Sequence, residues 1–271
     1  MDIQELQKLY ATLPQVRQLA RALEEKRVKT IFLEGLLSSS APIVFSGLSM
    51  KSNQTLLFVL QDADEAGYFY HDLCQVMGDD SGQVLFFPSS YRRAIKYGQK
   101  DAASEILRTE VLTNLERRAT TGPSQGASLY IVTYPEALAE KVVTRQGLDS
   151  RTLSLEQGQA VDVEQVLQTL RDFGFHEVDY VYEPGQFALR GSILDVFSFS
   201  HEYPFRLDFF GDDIDSIRTF EVETQLSKEC RQQASIVPEL SDGDQKESML
   251  KFLPQDTVLV LKNYRYARDV V

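Results

Sequence analysis

The sequence predicts an α/β protein in which a mainly parallel, helix-flanked sheet is interrupted by an inserted α+β segment with an antiparallel sheet. Two observations carry this. Short apolar strands alternate with helical patterns before about residue 143, the order of a parallel sheet. After Thr144 the strands become consecutive and are joined by short turns, the order of antiparallel hairpins. A buried-type strand returns at Val258 to Leu261, so the first layer resumes after the second.

Taken in order, Leu6, Leu9, Tyr10, Leu13, Val16, Leu19, Ala20 and Leu23 recur at helical spacing, with Pro14 as a break or second start. Thr30 to Leu33 is a short apolar run leading to the turn Gly35 to Ala41. Gln54 to Leu60 reads as a strand, Asp62 as the start of a helix through Tyr68, Phe69, Leu73 and Val76, and Val84 to Phe87 as a strand closed by Pro88. Asp101 to Arg118 reads as an amphipathic helix burying Ile106, Leu107, Val111 and Leu115, with Glu105, Arg108, Glu116 and Arg117 in solvent. Thr120 to Ser128 is a loop, Leu129 to Thr133 a strand, and Glu136 to Val142 a short helix.

In the second pattern, Asp162 is placed to cap a helix, with Gln165 completing a capping box. Val163, Val166, Leu167, Leu170 and Phe173 form its apolar face, and Gly174 ends it. Strands follow at Val178 to Tyr182, Phe187 to Arg190, Ile193 to Phe199, Phe205 to Phe210 and Ile214 to Phe220. They are punctuated by Pro184-Gly185 and Gly211-Asp212-Asp213. Ser241 to Glu247 is a polar loop, and Asn263 to Val271 reads as the start of a helix, so the sequence is expected to be a piece of a longer protein.

Composition narrows the chemistry. The 271 residues are 43% hydrophobic, enough for a sizeable core. A net charge of -12 argues against a DNA clamp, since phosphate binding needs Lys and Arg. Cys74 and Cys230 have no CxxC spacing and read as buried reduced thiols. No leader and no apolar run of membrane length is visible, which makes the cytoplasm the expected compartment and a membrane partner unexpected.

Each candidate chemistry requires its own set of residues. A phosphate-binding loop needs glycines, a Lys and a Ser/Thr; Gly35 to Ala41 has one glycine and no basic residue. Asp62-Ala63-Asp64-Glu65 has the look of a magnesium-holding acidic box but is better explained as a helix cap. Asp208, Asp212, Asp213 and Asp215 fit hairpin chemistry better than a metal site. His71, His176 and His201 have no partner at catalytic spacing. No catalytic, cofactor or metal residue is therefore expected. Arg190, at a glycine-marked strand join, reads equally as a partner of Asp195 or another acid and as an exposed anchor of an interface.

The stretch Glu183-Pro184-Gly185-Gln186-Phe187-Ala188-Leu189-Arg190-Gly191-Ser192-Ile193-Leu194-Asp195-Val196-Phe197, followed by Tyr203-Pro204-Phe205-Arg206-Leu207-Asp208-Phe209-Phe210-Gly211-Asp212-Asp213-Ile214-Asp215-Ser216-Ile217-Arg218-Thr219-Phe220, resembles two related families. These are the excision-repair protein UvrB and the bacterial transcription-repair coupling factor (Mfd), whose N-terminal region is UvrB-like. The degenerate Gly35 to Ala41 loop, Phe86 to Tyr91, Leu129 to Leu138 and Glu223-Thr224-Gln225-Leu226-Ser227 resemble the coupling factor. The resemblance implies a helicase-like domain 1a at 1–143, a UvrA-binding domain 2 at 144–228 and the start of domain 1b at 229–271. It implies Arg190 as the UvrA contact, with Phe197 and His176 as neighbours by pattern; Ala188 stands where UvrB has a second arginine. It further implies a parent that is an ATP-dependent DNA translocase. RNA polymerase, double-stranded DNA, ATP and magnesium would be bound outside this stretch, and domain 2 would be masked by the parent's C-terminal region. The competing expectation is a UvrB-type ATPase with a diverged loop.

Overall fold

The computed structural model describes residues 3–25, 28–36, 39–78, 83–91, 101–121, 127–240 and 246–271. In chain order the elements are α1 (Ile3–Ala11), α2 (Pro14–Glu24), α3 (Ser40–Ser49), β1 (Thr55–Val59), α4 (Ala63–Met77), β2 (Val84–Phe86), α5 (Ala102–Thr121), β3 (Leu129–Thr133) and α6 (Pro135–Ala139). Then come β4 (Val142–Val143), α7 (Arg145–Asp149), β5 (Leu153–Glu156), α8 (Val163–Asp172), β6 (His176–Glu177), β7 (Gln186–Arg190), β8 (Ile193–Val196), β9 (Phe205–Phe210) and β10 (Asp213–Phe220). The last are β11 (Ser227–Arg231), β12 (Gln233–Ile236), β13 (Lys246–Glu247), β14 (Val258–Leu261) and α9 (Tyr264–Val270). Two compact units result. One draws on Met1–Ser89, Asn114–Glu140 and Ser248–Val271, the other on Ser90–Thr113 and Lys141–Glu247.

Among its described residues, the first unit holds a parallel four-stranded sheet in the order β14-β1-β3-β2. β1 and β3 are buried along their whole length, as strands covered on both faces must be. Phe58 meets Phe45 edge-on at 4.8 Å, and the Tyr130 hydroxyl, in full burial, donates to the Phe45 carbonyl at 2.8 Å. The expected break at Pro14 is a second helix start, with Pro14 in the first turn of α2.

Three expectations are corrected. Ser40 and Ala41, read as the end of the turn from Gly35, instead begin the helix Ser40–Ser49, whose Phe45 and Leu48 are buried. Val258 to Leu261 is the edge strand, with Leu259 and Leu261 half in solvent. The short apolar run Thr30 to Leu33 stands exposed, Phe32 most of all. In α5, which contributes residues to both units, Arg108 is buried and Glu105 half-buried, against the expected solvated face. Glu105, 4.0 Å from Arg108 Nε on the same helix, gives the buried guanidinium an opposite charge, which spacing alone does not announce. Positions 37–38, 122–126 and 241–245, which fall in the loops read from sequence, lie outside the described residues.

The second unit is built on a six-stranded sheet in the order β11-β10-β9-β8-β7-β6, with β5 and β12 as a separate antiparallel pair. One face of the large sheet packs Phe187, Leu194, Val196, Phe205, Leu207 and Ile217 against Val166, Leu167 and Leu170 of α8. The alternation that reads Phe205-Arg206-Leu207-Asp208-Phe209-Phe210 in sequence becomes inside and outside in turn. Asp162 caps α8, accepting from the Glu164 and Gln165 amides at 3.0 and 3.4 Å. Asp162→Ala is expected to cost about 1 kcal/mol, as other cap removals do; urea unfolding of the variant against wild type checks it.

The expected strand at Val178 to Tyr182 is corrected as well. The strand ends at Glu177, one further bond runs from the Val178 amide to the Phe187 carbonyl, and the next residues form an irregular arm. The amides of Tyr182 and Glu183 both donate to the Gln186 side-chain oxygen, at 2.9 and 3.1 Å, instead of to a strand. Cys230, expected to be buried, is exposed on β11, an edge strand.

A candidate partner-binding face in the second unit

The sheet face away from α8 is polar. Cross-strand register places Ala188 beside Asp195, Asp195 beside Arg206, and Arg206 beside Arg218. The next row sets Arg190, Ile193 and Asp208 side by side. Phe210 extends this face at the end of β9 and is 83% exposed. β7 and β9 run the same way, so Arg190 and Phe210 both sit at the C-terminal ends of their strands, at one margin of the sheet. Each is followed by a two-residue hairpin whose first residue, Gly191 or Gly211, has φ of 61° or 66°. This left-handed conformation is what the tight turn requires and glycine supplies.

Asp195 organises the face. It is fully buried, and an unpaired buried carboxylate is costly, so its oxygens must be satisfied. Arg206 donates to both of them, from Nε at 2.7 Å and Nη2 at 2.8 Å. Arg190 Nη2 donates to Oδ2 at 2.5 Å. Arg206 also donates to the Gln225 carbonyl at 3.0 Å and lies 4.3 Å over the Phe220 ring. The hydrogen bonds that Arg206 donates to Asp195 raise its pKa above the ordinary value. Gln225, the one described non-glycine residue at positive φ, holds this shape through its own side chain, which donates to the Val222 carbonyl at 2.8 Å.

The two readings left open for Arg190 coexist. It pairs with Asp195, yet its side chain remains 34% exposed. Phe197 is 7% exposed and belongs to a small core with Val181, Ala188 and Phe220, so it offers little surface. His176 is exposed and pairs with Gln186, which puts it about 13 Å along β7 from Arg190. The structure therefore groups Arg190 with Arg206, Asp208 and Phe210 and sets His176 apart. Sequence reading did not single out Arg206 and Phe210 as site residues. The signal was present: two consecutive phenylalanines in one strand cannot both face the core.

The other candidates have structural roles. Asp62 accepts from the Glu65 amide at 2.9 Å and caps α4. Glu65 accepts from the Gln61 amide at 3.1 Å and pairs with Lys262. Gly35 is exposed with φ of 84°, and Ser40 begins α3. Asp208 accepts from the Ser192 hydroxyl at 3.1 Å, while Asp212 and Asp213 lie at the hairpin that joins β9 to β10. Among the described residues, no group of three or more His, Cys, Asp or Glu side chains could hold a metal ion, and no helix is long and apolar enough to cross a membrane. His71 is exposed, and His201 packs 5.2 Å from the Phe205 ring.

Residues 153–241, all within the second unit, match the family described as the UvrB interaction domain. The chain is 28% identical over 233 residues to the transcription-repair-coupling factor of Staphylococcus aureus strain RF122, an alignment covering 85% of this chain and 19% of the relative. It is 36% identical over 101 residues to the proteins of the same name from Escherichia coli K12 and Haemophilus influenzae, covering 37% of this chain and 9% of each relative. The chain thus spans about a fifth of the length of the longest-matching relatives.

Proposed function

We propose that this chain, a relative of the transcription-repair-coupling factors that carries a UvrB interaction domain at residues 153–241, is a docking module that recruits the excision-repair protein UvrA. The observation that supports this best is the face set by Asp195. Two arginines are fixed by one buried carboxylate, and an exposed phenylalanine lies at the same sheet margin, all within the matched segment. Arginines and aromatics are the residue types that anchor interfaces, and anchors held in place before binding lose less entropy on complex formation. Arg190, Arg206 and Phe210 are the contacts in this reading; Phe197 supports them from beneath.

The module itself does no chemistry in this reading and needs no cofactor. The parent would be an ATP-dependent DNA translocase of the cytoplasm that displaces stalled RNA polymerase. ATP, magnesium, double-stranded DNA and polymerase would be held by other regions, and this face would be masked by the parent's C-terminal region until needed. The engagement of Glu65 by Lys262 and of Asp62 as a cap weighs against a working UvrB-type ATP site.

Calorimetric titration of purified UvrA with this chain tests the reading. Arg190→Ala and Phe210→Ala are each expected to weaken a specific complex by about 1–3 kcal/mol, as interface anchors do. His176→Ala is expected to leave it unchanged. Absence of binding by the wild-type chain would refute the docking role.

A further inference from the structure

We propose that the arm from Val178 to Glu183 is a built-in brace for the docking face, and that Tyr180 is a positioning residue that fixes the direction in which Arg190 points. The inference rests on the docking reading for its functional meaning, but the brace itself is a matter of intramolecular geometry.

The arm leaves the sheet at a defined point. The Val178 amide still donates to the Phe187 carbonyl at 2.9 Å, extending the β6–β7 pairing by one residue. From there the chain crosses onto the polar face. Val181 is fully buried against Ala188, Phe197 and Phe220 and pins the middle of the arm. Gln186 holds its far end through the Tyr182 and Glu183 amides.

With both ends fixed, the stretch between them meets Arg190 twice. The Asp179 carbonyl accepts from Arg190 Nη1 at 2.9 Å, and the Tyr180 ring lies 4.8 Å from the guanidinium carbon. Together with the Asp195 contact, Arg190 is therefore held from three directions. Two of the three come from the arm.

The small side chain of Ala188 is part of the device. It is 1% exposed beneath Val181, so a longer residue there would lift the arm from the sheet. Tyr180 itself is 51% exposed, and Glu177, Val178, Asp179, Tyr180, Leu189 and Arg190 line an open hollow of about 460 Å³ beside it. An arginine stacked on an aromatic ring presents one guanidinium edge to a partner and loses little freedom on binding.

The test uses the whole 271-residue chain and a double-mutant cycle against purified UvrA: wild type, Tyr180→Phe, Tyr180→Ala, Arg190→Ala and Tyr180→Ala with Arg190→Ala. Tyr180→Phe keeps the ring and is expected to bind like wild type. Tyr180→Ala is expected to weaken binding about five- to tenfold, and to add no further loss in the Arg190→Ala background. An equal loss in both backgrounds would make Tyr180 an independent contact and overturn the positioning role. A second readout needs no partner. The Arg190 Nη–H resonances in NMR spectra of the isolated chain are expected to be slow to exchange with water in wild type and Tyr180→Phe, and fast in Tyr180→Ala. No change would overturn the brace even if UvrA binds, whereas a change in a chain that does not bind UvrA would retain the brace and refute docking.

Discussion

Asp195→Ala is expected to lower the unfolding free energy by about 3 kcal/mol, the cost of breaking a buried ion pair by removing one partner. The carboxylate is fully buried and accepts three arginine hydrogen bonds. Its loss leaves Arg206, only 14% exposed, with a charge that neither water nor another acid reaches easily. Arg190, at 34%, recovers part of its hydration, which keeps the figure at the lower end for such pairs. Asp208→Ala is the control. That acid is 34% exposed and stands 3.8 Å from Arg218, so its removal is expected to cost about 0–1 kcal/mol. Urea unfolding followed by circular dichroism separates the two variants, and equal costs would show that Asp195 does not organise the face.

The second large effect is a loss of stability on acidification centred on His201. Burial, and then the positive charges of Arg231 and Lys228, bring its pKa from the ordinary 6.5 down to about 4, against the opposing hydrogen bond with the Tyr203 backbone. Above pH 6.5 the imidazole is neutral in both folded and unfolded chains and pH has no effect through it. Between 6.5 and 4 the unfolded chain takes up a proton that the folded chain refuses, so stability falls with falling pH. The loss through this group is about 2 kcal/mol at pH 5. Below the folded pKa both forms are protonated and the loss levels off. Its ring accepts the Tyr203 amide at 3.0 Å through Nδ1, which a glutamine oxygen can replace. His201→Gln is therefore expected to show a shallower decline between pH 7 and pH 5 than wild type. Identical slopes in paired unfolding curves would remove His201 as the cause.

Much of the second unit was legible because its strands alternate. Phe205 to Phe210 and Asp213 to Phe220 announce one buried and one open face, and Asp162 announces a helix start that the structure confirms bond by bond. What escaped was tertiary. Val178 to Tyr182 has strand composition, but the Gln186 side chain captures the amides of Tyr182 and Glu183, and hydrophobic alternation does not forecast such a side-chain capture. In the sequence Asp195 is one acid among those that could pair with Arg190. That it also binds Arg206 follows from the β8–β9 register, which spacing does not reveal. Ser40 and Ala41 read as the end of a turn but begin a helix, and Val258 to Leu261 has the composition of a central strand while occupying an edge.

The short β4–β13 pair has a consequence for how this unit travels through evolution. Val142 lies opposite Glu247 and Val143 opposite Lys246, and the Glu247 carboxylate accepts the Arg145 amide at 3.2 Å. The two ends of a stretch running from Lys141 to Glu247 are thus stitched together at their point of departure. Because closing a long loop costs only slowly more as the loop lengthens, a host chain tolerates a whole domain spliced in at such a seam nearly as readily as a short turn. That seam makes the stretch a transplantable cassette, whose two ends stay side by side wherever it is spliced.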